Sequence, residues 1–320
     1  MPKAKRPRRG SLQFYPRKRA RKELPSVNWR PVSALHREQQ GLLGVIGYKV
    51  GMVSVVVQDQ TPDVLTSKKQ IVIPATLIEV PPMKIFSVRF YKNGKVEGEV
   101  LVANDKELKR KLKVAKKAAT KEELEKSKPE EFDEVRVIAF SLVKKTGLKK
   151  TPDVIELAVG TGGFEFVKEL VGKEVGLESV YLGELVDARG VTKGKGWQGV
   201  VKRFGVTLRQ HKSEKGVRRV GSIGPWHPAR VTFRTPMPGQ LGYFTRISYN
   251  LKVIATGSIS DKQELNPRGG FKHYGLVKTN YILVKGSVPG PVKRALVLTP
   301  AFRPSKAKSK TKYELVEVVR

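Results

Sequence analysis

Two glycine-containing segments are the strongest candidates for a functional site in this sequence. The first, residues 194–199 (Gly-Lys-Gly-Trp-Gln-Gly), matches the G-x-G-x-x-G pattern of dinucleotide-binding loops. Such a loop requires a helix directly after the glycines and an acidic residue about twenty positions later. Residues 200–206 are predicted to be extended, and the first acid downstream, Glu214, is isolated in a basic run. We therefore expect the glycines to let the backbone approach a phosphate chain closely, with a plain flexible loop as the alternative.

The second segment, residues 221–230 (Gly-Ser-Ile-Gly-Pro-Trp-His-Pro-Ala-Arg), places Trp226 and His227 among glycines, prolines and arginines. The glycines and prolines prevent a long helix. Aromatic rings stack on unpaired RNA bases while guanidinium groups clamp phosphates, so this loop is predicted to bind RNA. A lone tryptophan is more often a core anchor, and that alternative stays open for Trp226.

Catalytic and metal-binding chemistry finds little support in the sequence. The four histidines have no metal-binding spacing, and the chain has no cysteine. Glu214 is the only acidic residue between Lys193 and Lys252, so a hydrolytic centre built on several carboxylates is not expected there. We expect no catalysis, no metal site, no cofactor and no small-molecule substrate; an RNA-processing enzyme is a less favoured alternative.

The positions of the charged residues indicate what kind of partner the chain needs. It has 63 Lys and Arg against 29 Asp and Glu, a net charge of +34. Residues 79–187 hold 21 basic and 20 acidic residues, whereas 1–22, 193–235 and 301–312 hold 10, 11 and 5 basic residues with only Glu214 as an acid. An ordinary solvated surface mixes the two signs. The charge therefore predicts a polyanion along the basic segments, with the near-neutral central region facing away from it.

The helices and strands around these segments are predicted from the hydrophobic period and the turn signals. Asn104 with Glu107 predicts a helix cap followed by helical spacing of apolar residues to Ala119, and Thr120 with Glu123 predicts a second cap. A further helix is predicted at 164–171. The strand candidates are residues 42–46, 49–57, 70–80, 84–91, 134–143, 153–159, 248–256, 281–285, 294–299 and 313–319.

Strands on both sides of an α/β region predict a barrel interrupted by an inserted domain. The longest apolar stretch, residues 42–48, is too short to cross a membrane. The basic N-terminus has no apolar segment after it, so we expect no secretory signal and a cytoplasmic location.

Five motifs, in order along the chain, resemble the large-subunit ribosomal protein L-three family, of archaeal type. They are residues 43–52, 190–203, 221–231, 239–243 and 285–291. The resemblance implies a mainly β fold with an α/β insertion, a six-stranded β-barrel of the translation-factor type, an extended basic N-terminal arm and a long internal finger loop that reaches toward the peptidyl transferase centre. The implied divisions are a basic extension (1–40), the barrel (41–78 and 188–300, with the finger at 205–247), the inserted domain (79–187) and a basic C-terminal segment (301–320).

The resemblance also implies a structural role in the large ribosomal subunit, with large-subunit rRNA and neighbouring ribosomal proteins as partners and primary rRNA binding early in assembly. The finger base falls on residues 193–203 and its tip on Trp226 and His227. The expected rRNA-binding residues are Arg8, Arg9, Arg17, Lys18, Arg19, Lys193, Lys195, Trp197, Lys202, Arg203, His211, Arg218, Arg219, Trp226, His227, Arg230 and Arg234. The alternative function is a basic DNA- or chromatin-binding protein.

Overall fold

The computed structural model describes residues 11–259 and 265–319. Arg8 and Arg9 lie outside the described residues. Backbone contacts divide the chain into two units, one of Met1–Lys22 with Val191–Thr245 and one of Glu23–Gly190 with Arg246–Arg320. We call them the small unit and the large unit, and each is described by itself.

The fold is mainly β. In chain order the strands are β1 (Val45–Asp59), β2 (Gln70–Val80), β3 (Met83–Lys92), β4 (Lys95–Leu101), β5 (Glu134–Ser141), β6 (Val154–Ala158), β7 (Leu185–Val191), β8 (Trp197–Gln198), β9 (Gly239–Gln240), β10 (Thr245–Gly257), β11 (Asn280–Lys285), β12 (Ala295–Pro300) and β13 (Tyr313–Val319). The helices are α1 (Trp29–Leu35), α2 (Lys121–Lys126), α3 (Gly163–Leu170), α4 (Val200–Phe204) and α5 (Lys306–Lys310). None of these helices is long and apolar enough to pass through a bilayer.

The largest sheet has seven strands in the order β12-β7-β10-β11-β2-β1-β13. Residues 42–46 and 49–57, predicted as two strands, contribute to the single long strand β1. Its first part pairs with β12, from Val45 opposite Leu298 to Tyr48 opposite Ala295, and its last part pairs with β13. The pairing of β1 with β12 joins six of the strands in a ring.

A second sheet, in the order β4-β3-β5-β6, lies in the large unit. Residues 84–91, one of the strand candidates, form β3 in the interior of this sheet, between β4 and β5. Phe90 of β3 packs edge-on against Phe132 and also contacts Phe164 of α3. The apolar side chains of α3 recur at i, i+3 and i+6, so one face of the helix is buried on the sheet.

The helix predicted after Asn104 is wrong. The structure has only a 3-10 turn at Leu108–Arg110, and the Asn104 amide donates to the Lys116 carbonyl at 3.0 Å. Seven basic residues between 106 and 117 would repel one another at helical spacing, while burial of Leu108 against Phe86 and Phe140 fixes another backbone path. The second cap is confirmed, since Thr120 and Glu123 form a capping box at the start of α2.

Two buried tyrosine–carboxylate pairs lie in the core of the large unit. The Tyr48 hydroxyl donates to Asp153 Oδ2 at 2.6 Å, and the Tyr274 hydroxyl donates to Glu79. Burial, reinforced by the adjacent carboxylate, raises the pKa of both hydroxyls well above the ordinary 10.0. Both tyrosines therefore stay protonated and act as hydrogen-bond donors over the whole neutral range.

Candidate nucleic-acid interface

The small unit is built on two neighbouring chain segments that we call the loop base (residues 192–204 and 239–244). The Lys195 N–H donates to the Leu241 carbonyl at 2.9 Å, and the Leu241 N–H donates to the Gly196 carbonyl at 2.9 Å. Gly242 has a φ of +70°, and a Cβ placed there would lie 2.1 Å from the Lys193 carbonyl oxygen. Only glycine fits this close backbone approach, which explains the second glycine of the fourth motif.

Helix α4 follows residues 194–199 directly, so the prediction of extended chain at 200–206 is wrong. Val200 and Phe204, four positions apart, are both buried, and Gly205 ends the helix with a φ of +65°. So short an apolar run does not distinguish a helix from a strand. The dinucleotide interpretation still fails, because Arg219 stands about twenty positions after the glycines, where an acid is required.

Two of the predicted RNA-binding arginines instead hold the loop base together. The Arg203 guanidinium donates to the carbonyls of Met237 at 2.8 Å and Gln240 at 3.0 Å. Arg17 donates to the Arg203 carbonyl at 3.1 Å and stacks 4.3 Å from the centre of the Phe204 ring. Partial burial and the neighbouring Arg17 lower the pKa of Arg203 from its ordinary value, and the group stays charged. Hydrogen-bond donors of the Arg203 guanidinium group are thus paired with backbone carbonyl oxygens.

The long loop (residues 205–238) contains neither helix nor strand, and the structure describes all of it. Its path is set by side-chain bonds to the backbone. Arg209 donates to the carbonyls of Val220 and Gly221, and the Thr235 hydroxyl donates to the Ile223 carbonyl at 3.0 Å. Sequence reasoning missed both roles, because residue type does not reveal which arginine in a basic run turns inward.

The segment of the long loop around Trp226 presents aromatic surface to solvent. Trp226 is 89% exposed, so the core-anchor alternative is wrong for the chain by itself. His227 beside it is exposed as well, and Trp197 on the loop base is 76% exposed. Large aromatic rings are seldom left in water without a partner, and unpaired bases offer such rings a stacking surface.

The cationic side chains around these rings are not neutralised by acids of the chain. None of the ten Lys and Arg residues from Lys193 to Arg230 forms an ion pair with an acidic side chain in the described part of the chain. Besides Trp197, Trp226 and His227, the predicted residues that are exposed are Lys18, Arg19, Lys193, Lys195, Lys202, His211, Arg218, Arg219, Arg230 and Arg234. The described residues also contain no cluster of three or more His, Cys, Asp or Glu side chains that could hold a metal ion. The surface is suited to bind a polyanion that has unpaired bases accessible for stacking.

Comparisons with known proteins cover nearly the whole chain. The profile of a family described as "Ribosomal protein L3" matches residues 1–318. A large ribosomal subunit protein uL3 of Methanothrix thermoacetophila is 41% identical over 94% of this chain and 93% of its own length. Proteins of the same description from Methanocaldococcus jannaschii and Archaeoglobus fulgidus are 42% and 41% identical, over 93% and 94% of this chain and 92% and 93% of their own lengths.

Proposed function

This chain belongs to the ribosomal protein L-three family, and from that membership we propose that it is a structural constituent of the large ribosomal subunit in the cytoplasm. It binds large-subunit rRNA and neighbouring ribosomal proteins and catalyses no reaction. Its archaeal relatives carry the same description over almost their full lengths, which supports the same role for the whole chain. The observation that carries the RNA-binding part is the exposed, acid-poor long loop that contains Trp226.

The exposed cations of the small unit neutralise rRNA phosphates, and the exposed rings stack on bases near the peptidyl transferase centre. Lysine and arginine supply affinity through release of counterions from the RNA. Trp226 and His227 supply stacking surface. The chain thereby acts early in assembly, and its effect on peptidyl transfer is indirect, through the position of the rRNA that the loop holds.

Arg17 and Arg203 have a different role in this proposal. Because their donors are bonded to backbone carbonyls, they position the long loop and leave phosphate contact to exposed neighbours such as Lys202. Arg8 and Arg9 remain proposed phosphate ligands by sequence alone.

The finer architecture that we propose is a six-stranded barrel of the translation-factor type with an inserted α/β domain. The ring of pairings closed by β1 and β12 supports the barrel, and the separate sheet β4-β3-β5-β6 supports an insertion within residues 79–187. The finger is assigned to residues 205–247, and the basic N-terminal arm is assigned to residues 1–40. The C-terminal segment is 301–320.

The test measures the affinity of the full chain for a large-subunit rRNA fragment and for duplex DNA of equal length at one salt concentration. We expect a preference for the rRNA of about 10³-fold or more. Equal affinities would favour the DNA-binding alternative, and metal-dependent cleavage of the RNA would favour an enzyme.

A matched pair of variants assigns the contact surface. Replacing Arg218, Arg219 and Arg230 by glutamine should weaken rRNA binding strongly. Replacing Lys95, Lys121 and Lys126, which are exposed in the large unit, removes the same charge and should change affinity little. An equal loss of rRNA affinity in the two variants would show that the long loop is not part of the binding surface.

A further inference from the structure

A second strongly basic surface lies in the large unit, within the region whose overall charge is near zero. Residues 104–117 hold seven basic residues against two acids, and residues 144–150 hold four basic residues and no acid. The rest of residues 79–187 then has 10 basic and 18 acidic residues. The near-neutral sum therefore conceals a separation of charge between two parts of the region.

The two basic segments meet over one small apolar cluster. Leu108 is buried there with Phe86 and Phe140, and Val114 and Leu142 pack against the same cluster. Val114 lies within the first segment, and Leu142 lies two residues before the second. The segments are thus held side by side by the core beneath them.

Ion pairs join the same two segments above the cluster. Asp153 lies 3.5 Å from the ammonium group of Lys111 and 2.6 Å from that of Lys149, and Lys144 lies 3.3 Å from Glu107. The surface is therefore formed before any partner binds, which lowers the ordering cost of binding.

The acids at this surface are already matched, and several cations remain unpaired. Asp105 pairs with Lys84, while Glu107 and Asp153 take the lysines just described. Seven exposed residues of the two segments have no acidic partner within 4.0 Å in the described chain: Lys106, Lys109, Arg110, Lys113, Lys116, Lys117 and Lys150. We call these seven residues the basic patch.

We infer that the basic patch is a second RNA-binding surface, which takes the phosphate backbone of an rRNA segment without reading its bases. Leu112 is the only large apolar side chain exposed in residues 104–117 or 144–150, and these segments contain no aromatic residue. A protein partner would require a more apolar contact centre. Base recognition would require aromatic rings for stacking or rigidly held side chains that hydrogen-bond to base edges. The inference rests on the proposed function and replaces the expectation that the central region faces away from RNA.

The first test is the salt dependence of binding by the full chain to large-subunit rRNA. The patch variant carries Lys109→Gln, Arg110→Gln, Lys113→Gln and Lys150→Gln; the control carries Lys95→Gln, Lys121→Gln, Lys126→Gln and Lys173→Gln. All eight residues are exposed and lack acidic partners in the described chain, so both variants remove the same charge without breaking an ion pair.

Removing one phosphate contact lowers the slope of log K against log salt by about 0.7 to 0.9. We expect the patch variant to lower that slope by about 2 to 4 and the affinity at least tenfold, with less than about a threefold decrease in the control. Equal changes in both variants would overturn the inference. If the proposed function itself fails, the unaltered chain shows no preference for rRNA, so the two failures are distinguishable.

The second test uses the lack of cysteine in the chain. Lys113→Cys and, as control, Lys126→Cys each carry a tethered iron chelate in reconstituted large subunits. Hydroxyl radicals from the chelate cleave the RNA and polypeptide backbones close to the tether. We expect rRNA cleavage from position 113 that is weak or missing from position 126. Cleavage of a neighbouring protein without rRNA cleavage from position 113 would overturn the inference and assign an acidic protein to the patch.

Discussion

Basic residues of the small unit have two roles that their type alone does not distinguish. Lys202 is exposed to solvent, whereas its neighbour Arg203 is half-buried and donates to three backbone carbonyls. Planar guanidinium groups suit such multiple carbonyl contacts better than an ammonium group does. Some basic side chains therefore shape the loop base, whereas others point into solvent and are available to contact RNA.

Replacing Arg203 with alanine should loosen the loop base. Charge-assisted hydrogen bonds contribute about 1.5 to 3 kcal/mol, so the backbone amides of residues 239–243 should exchange at least tenfold faster with solvent deuterium. Lys202→Ala is the matched control and should leave those exchange rates unchanged. Unaltered exchange in the Arg203 variant would contradict the positioning role.

Replacing Trp226 with alanine should leave the stability of the free chain within about 0.5 kcal/mol, because the side chain is 89% exposed. Trp29→Ala, at 1% exposure, should cost about 3 to 5 kcal/mol in the same denaturant titration. Large subunits with the Trp226 variant should assemble but show altered peptidyl transfer. Unaltered kinetics of peptidyl transfer would contradict the proposed role of Trp226.

At the scale of elements, the loop base depends on a backbone approach that only glycine allows. Gly242→Ala would place its Cβ against the Lys193 carbonyl and force a left-handed φ on alanine, so we expect disordered pairing between β8 and β9. Gly199→Ala has open space and an ordinary φ of −69° and should be tolerated. Loss of amide protection at residues 195 and 241 in the first variant alone would bear this out; equal protection in both variants would refute it.

Strands are more predictable from this sequence than helices, for a physical reason. β2 and β13 match their predicted bounds. The Val- and Ile-rich run of β2 buries its last six residues, whereas β13 packs Tyr313, Leu315 and Val318 against the core and exposes its other residues. The helix predicted after Asn104 is wrong because tertiary burial of Leu108 outweighs local spacing. The prediction misses α4 because five residues carry too little periodicity to outweigh the strand preference of a Val-rich run.

The sequence indicates where a candidate interface lies but not which of its side chains shape the loop. Charge and aromatic content mark residues 193–234, and the structure shows Trp226 exposed there. The inward turn of Arg17, Arg203 and Arg209 depends on carbonyls distant in sequence, which no local pattern reports. Net charge summed over residues 79–187 likewise conceals the basic patch.

At the scale of the whole molecule, the charge of the chain is unevenly distributed. The small unit has 21 basic residues and one acid, so most of the +34 excess belongs to fewer than a quarter of the residues. Such a unit repels itself until a polyanion neutralises it, whereas the large unit has an extensive apolar core. Apolar burial thus stabilises the large unit, whereas charge repulsion opposes a compact small unit in the absence of a polyanion.

The buried tyrosines predict how stability of the whole chain depends on pH. Their folded-state pKa values lie above the unfolded value of 10.0, so their contribution is complete below about pH 10 and declines as the pH rises further. Each group should lower the free energy of unfolding by about 1.4 kcal/mol per pH unit there. Denaturant titrations from pH 8 to 11 should show a shallower decline in Tyr274→Phe, and an identical decline would contradict this assignment.

Membership of the large ribosomal subunit is tested directly by the sedimentation of the tagged chain in cell extracts before and after a high-salt wash. An rRNA-bound constituent makes many phosphate contacts inside the particle, and added salt screens buried pairs less than exposed ones. We predict that the chain sediments with the large subunit and stays there after the wash. Release into the free protein fraction, or sedimentation with DNA in place of the large subunit, would contradict the account.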